Sequence, residues 1–301
     1  MAKVFIDGAA GTTGLKIYGR LSARSDIELI TLAEDQRKDE GARADAMRRS
    51  DITFLCLPDD AAIKAAELAD DKTVIIDTST AHRTSDGWVY GMPELAGQTD
   101  KIKASKRIAN PGCHASGFIA LVAPLVSEGL IDKSEKLSCF SLTGYSGGGK
   151  KMIAEYESEG RDALYDAPRQ YGLSQSHKHL PEMKKVCGLD FAPAFCPVVE
   201  PFYSGMQVTV PLFDTDMEKI KEIYAQTYTN GVIKYCDASE NGFISAAELS
   251  GKDGMYVYVY GNSERAILCA VYDNLGKGAS GAAIQNMNII LDEEQTKGLI
   301  L

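Results

Sequence analysis

Long apolar runs are missing from this 301-residue chain. None approaches the ~18 residues that a membrane span needs, so no transmembrane helix is expected. Positive charge is in deficit: 32 lysines and arginines stand against 42 aspartates and glutamates, a net charge of −10. That balance argues against a nucleic-acid-binding body or a polybasic membrane surface, which need a basic face. A local basic pocket for a small anion stays compatible with it. Cys-x-x-Cys pairs are absent. The seven cysteines, an odd number, are scattered from Cys56 to Cys269, a pattern that suits a reducing cytoplasm and gives no metal site. Met1 runs straight into the strand-like Lys3-Val4-Phe5-Ile6, which leaves no room for a signal peptide. Repeats, low-complexity tracts and floppy linkers are lacking too.

The segment from Ile108 to Gly117 says most about what is there. It sets Cys113 just after the turn Asn110-Pro111-Gly112, where an apolar helix running through Phe118 to Val126 begins. A helix N-terminus carries unsatisfied N–H groups and about half a positive charge. Both favour thiolate over thiol, and the thiolate is the nucleophile. The same N–H groups can receive the oxyanion of an attacked carbonyl. The alternative is a small hydrophobe at a helix start, since cysteines are often buried and inert.

The first hundred residues alternate strand-like stretches (Val4–Ile6, Ile27–Ala33, Ile52–Leu57, Val74–Ile76) with helical ones (Leu15–Ala23, Arg43–Arg49, Asp60–Leu68). Repeated βα units predict a parallel, right-handed, doubly wound sheet. After Cys113 the grammar changes. Strands at Leu137–Thr143, Phe195–Pro201, Gly205–Leu212, Tyr256–Tyr260 and Ala266–Tyr272, with a helix at Met217–Thr227, predict a mostly antiparallel α+β domain. Ser280–Leu291 is helical again. The expected partition is 1–113 with 276–301 for the first domain and 114–275 for the second.

The turn Gly8-Ala9-Ala10-Gly11-Thr12-Thr13-Gly14 joins the first strand to the first helix. Its glycines permit a tight turn and close backbone approach, and a pyrophosphate can sit on the helix N-terminus. Gly8, Gly11, Thr12, Thr13 and Gly14 are therefore candidate dinucleotide contacts. After the second strand come Glu34-Asp35-Gln36-Arg37-Lys38. An acidic residue there suits the ribose of NAD, whereas Arg37 and Lys38 suit a 2′-phosphate; a solvated charge run is the third reading. Two of only four histidines fall in Ser176-His177-Lys178-His179-Leu180-Pro181-Glu182. If His179 opens a helix, Glu182 lies on the same face, where a carboxylate can orient an imidazole. His179 is thus a candidate acid/base partner for Cys113; the alternative is a surface histidine pair that caps a helix. His-x-His without a clear third ligand is a poor zinc pattern. Ser146-Gly147-Gly148-Gly149 can cradle a phosphate or be a flexible loop.

Together these segments resemble N-acetyl-γ-glutamyl-phosphate reductase of arginine biosynthesis, in its short-chain (type 2) subfamily. The matching stretches are Gly8–Gly14, Asp77–Arg83, Trp88–Leu95, Asn110–Gly117, Gly144–Lys150, His177–Glu182 and Asp273–Ala279, so the resemblance spans essentially the whole chain. The wider superfamily includes aspartate-semialdehyde dehydrogenase and glyceraldehyde-3-phosphate dehydrogenase. The resemblance implies a Rossmann NADP-binding domain and an α+β catalytic and oligomerisation domain. It implies reduction of N-acetyl-γ-glutamyl phosphate by NADPH through a thioester on Cys113, with His179 as base and Glu182 as its orienter. Asn274 is a candidate contact for the cofactor amide; Ser79, Arg83, Ser146 and Gly147 are further contacts to cofactor or phosphate. A lysine-pathway or aspartyl-phosphate reductase is the alternative within this chemistry, and a cysteine acyl-hydrolase or a dinucleotide sensor lies outside it. The apolar strands Tyr256–Tyr260 and Ala266–Val271 predict a sheet face paired with a second copy, in a homodimer or a tetramer of dimers. The expected location is the cytoplasm.

Overall fold

Alternation in the first strand sets the architecture of the N-terminal half. In β1 (Ala2–Asp7) Val4 and Ile6 join one apolar cluster and Phe5 another, as the two-residue period of a strand requires. A strand buried on both faces belongs inside a sheet covered by helices on both sides. The computed structural model, which describes residues 1–229, 231–237 and 242–301, has that arrangement. β1 is followed by α1 (Thr12–Leu21), β2 (Ile27–Ile30), α2 (Glu40–Arg49), β3 (Ile52–Leu55), α3 (Asp59–Leu68), β4 (Val74–Asp77), β5 (Val89–Tyr90), α4 (Gln98–Ala104) and β6 (Arg107–Ala109). The strand order is β2-β1-β3-β4-β6-β5, with every neighbouring pair parallel. Ile17 and Leu21 of α1, Ile102 of α4, and Ile284 and Met287 of the chain's last helix cover one face. Ala46 and Met47 of α2 with Ala65 of α3 cover the other. The second strand stops at Ile30, short of the expected Ala33, because Glu34–Gln36 already turns as a 3-10 helix.

These elements form one unit, Met1–Gly112 with Ala279–Leu299; the other is Cys113–Gly278 with Ile300–Leu301. Cys113 therefore opens the second unit.

The second unit is built on α5 (Cys113–Ser127), buried without a break from His114 to Val126. It continues with β7 (Ser138–Gly144), α6 (Gly149–Glu157), β8 (Arg169–Gln170), α7 (Leu180–Cys187), β9 (Ala194–Glu200), β10 (Met206–Phe213), α8 (Met217–Thr227), β11 (Ile233–Tyr235), β12 (Met255–Gly261) and β13 (Arg265–Tyr272). The sheet order is β11-β12-β13-β10-β7-β9-β8. It is antiparallel except for β11–β12 and β7–β9. α5 lies against β10, β13, α7 and α8. It contains Pro124, which has no N–H to give back to Ala120. Tyr228 of the segment after α8 donates its hydroxyl to that carbonyl, and Tyr224 donates to Leu121 O at 2.5 Å. The proline is tolerated because an outside donor, Tyr228, satisfies the Ala120 carbonyl that it strands.

The opposite sheet face is apolar and only partly covered. Register aligns Cys196, Phe140, Thr209, Cys269 and Tyr258 across it. Cys236 and Ile244 pack over Tyr258, Cys269 and Val271, while Phe140, Ile267 and Phe213 stay exposed. The last helix, α9 (Gly281–Ile290), returns to the first unit. Among the described residues no helix is long and apolar enough to cross a membrane.

Candidate active site

Cys113 is the first residue of α5 and is half-buried. Its turn is pinned by Tyr272 at the end of β13. That phenol donates to Cys113 O at 2.5 Å and accepts from Gly117 N–H at 3.1 Å. Burial, then Cys113 itself, pushes the Tyr272 hydroxyl well above its ordinary pKa, so it stays protonated and able to donate. Gly117 is glycine for space: a Cβ there would lie 2.7 Å from the Tyr272 hydroxyl oxygen and from Val208.

Three ligand-type atoms meet at this helix start. Cys113 Sγ and one ring nitrogen each of His114 and His179 lie within 4.8 Å of one another. His179 caps α7, with Pro181 in the first turn and Glu182 buried three residues on. His177 stands outside the three-atom set, its ring centroid 4.9 Å from that of His179. Its imidazole pKa is lowered by burial and then by Lys178.

Sequence reading passed over His114, although it adjoins Cys113. Its Nδ1 shares a hydrogen bond with Ser141 Oγ at 2.7 Å, and its Nε2 shares one with the Tyr171 hydroxyl at 2.6 Å. Burial, then His177 and Lys178, pushes its pKa down to about 3, so His114 is neutral near pH 7. Tyr171 is itself raised by burial and by Cys113. Ser141 and Tyr171 lie 27 and 57 residues from His114, and no local pattern announces such pairings.

The glycine turn lies in the first unit. Gly8 has φ +86°, and a Cβ on it would sit 2.3 Å from Cys56 O. A Cβ on Gly14 would sit 2.5 Å from Gly8 O. These two positions therefore require glycine. Gly11 is the N-cap of α1 and makes no side-chain capping bond, so the first-turn amides at Thr12, Thr13 and Gly14 suit an anion. Beside the turn is a cavity of about 630 Å³ lined by Asp7, Gly8, Tyr18, Leu32 and Arg37 among others. A glycine cradle at an uncapped helix start, next to a cavity with a cation, fits a dinucleotide phosphate. Lys38 is exposed and is not among the lining residues. A cation that the sequence did not single out, Arg43, is paired with buried Asp7 through Nε at 3.0 Å and a terminal nitrogen at 2.7 Å. Burial raises the Asp7 carboxyl in spite of that guanidinium.

The remaining candidates are held by their own units. Ser79 donates its hydroxyl to Asp77 at 2.7 Å, and His82 shares the same carboxylate oxygen at 2.6 Å. Arg83 donates to Asn110 O at 2.9 Å and Thr78 O at 3.0 Å. In the second unit Asn274 donates to Ser146 Oγ at 3.0 Å and accepts from Gly205 N–H at 2.9 Å. Gly147 lies beside it, where a Cβ would be 3.5 Å from the Asn274 amide nitrogen. Ser146 and Asn274 thus brace the glycine loop through each other.

Comparison with known proteins covers both units. The family model described as semialdehyde dehydrogenase, NAD binding domain, matches residues 3–104, and that described as semialdehyde dehydrogenase, dimerisation domain, matches residues 113–274. N-acetyl-gamma-glutamyl-phosphate reductase 2 of Nostoc sp. is 43% identical over 318 residues, covering 99% of each chain. The N-acetyl-gamma-glutamyl-phosphate reductase of Brucella ovis is 44% identical over 305 residues, covering 96% of this chain and 98% of its own. Among solved structures, aspartate semialdehyde dehydrogenase II from Vibrio cholerae superposes with a TM-score of 0.73 at 18% identity, covering 97% of this chain and 99% of its own. Aspartate semialdehyde dehydrogenase with NADP from Candida albicans gives 0.68 at 16% identity, covering 99% of both. At those identities the structural likeness speaks for the fold.

Proposed function

The chain belongs to the semialdehyde dehydrogenase family, and from that premise we propose that it reduces N-acetyl-γ-glutamyl phosphate to N-acetylglutamate 5-semialdehyde and phosphate, with NADPH, through a thioester on Cys113. The observation that carries the residue assignment is the meeting of Cys113 Sγ with the His179 and His114 nitrogens at a helix N-terminus. The Cys113 thiolate attacks the acyl carbonyl carbon, the carbon–oxygen bond to phosphate breaks, and phosphate leaves with the bonding pair. Covalent catalysis replaces one hard step with two easier ones. The positive end of α5, where Cys113 sits, stabilises the carbonyl oxygen as it gains charge.

NADPH, when bound, supplies the hydride that takes the acyl group to the aldehyde level. Proton movement belongs to His179: it takes the proton from Cys113 Sγ as the thiolate forms, lends it to the oxygen of the adduct, and takes it back as the carbon–sulfur bond breaks and the aldehyde leaves the Cys113 thiolate. His114 is unsuited to that task, because a general acid/base works best with a pKa near the working pH and its own is pushed down to about 3. It serves as a neutral wall of the site, fixed by Ser141 and Tyr171. Glu182 orients His179 from the same buried first turn of α7.

For the cofactor, Gly8, Gly11, Thr12, Thr13 and Gly14 would hold the pyrophosphate, and Arg37 in the cavity wall would take the 2′-phosphate. Assembly is a homodimer or a tetramer of dimers, supported by the dimerisation-domain match and by exposed Phe140, Ile267 and Phe213 on one sheet face. The compartment is the cytoplasm, supported by seven cysteines with no disulfide among them.

The test is NADP⁺ reduction by purified protein given phosphate and N-acetylglutamate 5-semialdehyde, with the aspartate and lysine-pathway semialdehydes as competitors. The N-acetylated substrate should win in kcat/KM. A preference for either of the others would transfer the protein to a sister reaction.

A further inference from the structure

The cluster at the start of α5 has a second chemistry that does not depend on which acyl phosphate is reduced. One thiol sulfur and two imidazole nitrogens converge within 4.8 Å of one another. A tetrahedral Zn²⁺ site, with Zn–S of about 2.3 Å and Zn–N of about 2.0–2.1 Å, sets its ligand atoms about 3.3–3.6 Å apart. Cys113, His114 and His179 can close that difference by side-chain rotation of about 1 Å, a smaller change than moving a helix. A set of one thiolate and two imidazoles selects Zn²⁺ or Cd²⁺ over the oxygen-seeking Mg²⁺ and Ca²⁺. His114 also has the outer partners that metal-bound histidines use: Ser141 on one nitrogen and Tyr171 on the other. One of those bonds must yield to the metal, and the one that stays then orients the ring.

We propose that Cys113, His114 and His179 form an inhibitory site for a thiophilic divalent cation, with water in the fourth position. Binding forms a metal–sulfur bond and releases the thiol proton to solvent, with no change of oxidation state. The sulfur lone pair is then no longer available to a carbonyl carbon, and the His179 lone pair no longer takes a proton. A chelator reverses the inhibition.

The test uses the whole chelator-treated protein and Co²⁺, a spectroscopic stand-in for Zn²⁺. One equivalent of Co²⁺ should give a thiolate-to-metal charge-transfer band with the intense visible bands of four-coordinate cobalt, and Zn²⁺ should bleach both. Cys113→Ser should abolish the charge-transfer band. His179→Asn should weaken binding by more than about 100-fold, beyond the 10–100-fold expected for losing an outer partner. His177→Asn should leave spectrum and affinity as they were. His114→Gln should behave as His179→Asn, and if it does not fold, the Cys113 and His179 variants decide alone. A band that survives Cys113→Ser, a six-coordinate spectrum typical of a surface ion, or equal binding to all variants would overturn the site. Because the readout is spectral, an inactive acyl-phosphate assay with an intact cobalt band would refute the substrate and not the metal site.

Discussion

Replacing His114 with glutamine isolates the electrostatic cost of burying an imidazole beside the nucleophile. In the unfolded chain this ring protonates at its ordinary 6.5; in the native state burial, with His177 and Lys178 near it, delays protonation to about 3. Between those values the unfolded state binds more protons than the native state. Stability therefore falls as pH falls, through the window from 6.5 down to about 3. Each pH unit inside the window is worth about 1.4 kcal/mol. The full span is a ceiling of about 5 kcal/mol, the same order as the roughly 5–15 kcal/mol that holds a typical domain together. Lowering the pH from about 6.5 to 5 should cost the parent protein about 2 kcal/mol through His114 alone. Glutamine keeps amide donors and acceptors for Ser141 and Tyr171 but cannot take the proton. Urea midpoints followed by circular dichroism at the two pH values give the comparison. The parent should lose about 2 kcal/mol more than His114→Gln over that interval. Parallel losses in the two proteins would refute the reasoning, because His114 would then not be held neutral by its burial.

The other residues give sharper functional contrasts. His179→Asn should lower kcat by ~10²–10⁴-fold and change the pH profile, while His177→Asn should do less; steady-state rates across pH check the order. Arg37→Ala should raise KM for NADPH and leave that for NADH nearly unchanged, whereas Lys38→Ala should have little effect on either, in line with the cavity wall that only Arg37 joins. Phe140→Glu with Ile267→Glu should dissociate the assembly as measured by light scattering, because a charge on each exposed apolar position opposes close apolar packing.

The parts of the molecule written in local grammar were legible from residues alone. Period-two burial in Val4-Phe5-Ile6, the glycine turn at 8–14 and the unbroken apolar run after Cys113 each depend on neighbours in sequence. β5, β6 and α4 were not legible, since two, three and seven residues are too few for a periodic signal. α6 was hidden by the glycines that open it. At the site, Cys113 and the His179-x-x-Glu182 spacing could be read directly. The bracing of His114 by Ser141 and Tyr171, the Asp7–Arg43 pair and the Ser146–Asn274 link depend on strand register and chain crossings tens of residues apart. Such contacts leave no mark on local composition. Ser79, Ser146 and Asn274 were named through the family resemblance; the bonds of Ser79 to Asp77 and of Asn274 to Ser146 are what the structure adds.

The central claim is that Cys113 carries the acyl group. The direct measurement mixes the protein with N-acetyl-γ-glutamyl phosphate in the absence of NADPH, then follows phosphate release and the mass of the Cys113 peptide after an acid quench. The account predicts a burst of one phosphate per active site and an acyl adduct on Cys113. Cys113→Ser should show neither, and should keep NADPH binding while losing turnover. Turnover without the adduct, or more than a few per cent of the activity left in Cys113→Ser, would contradict it.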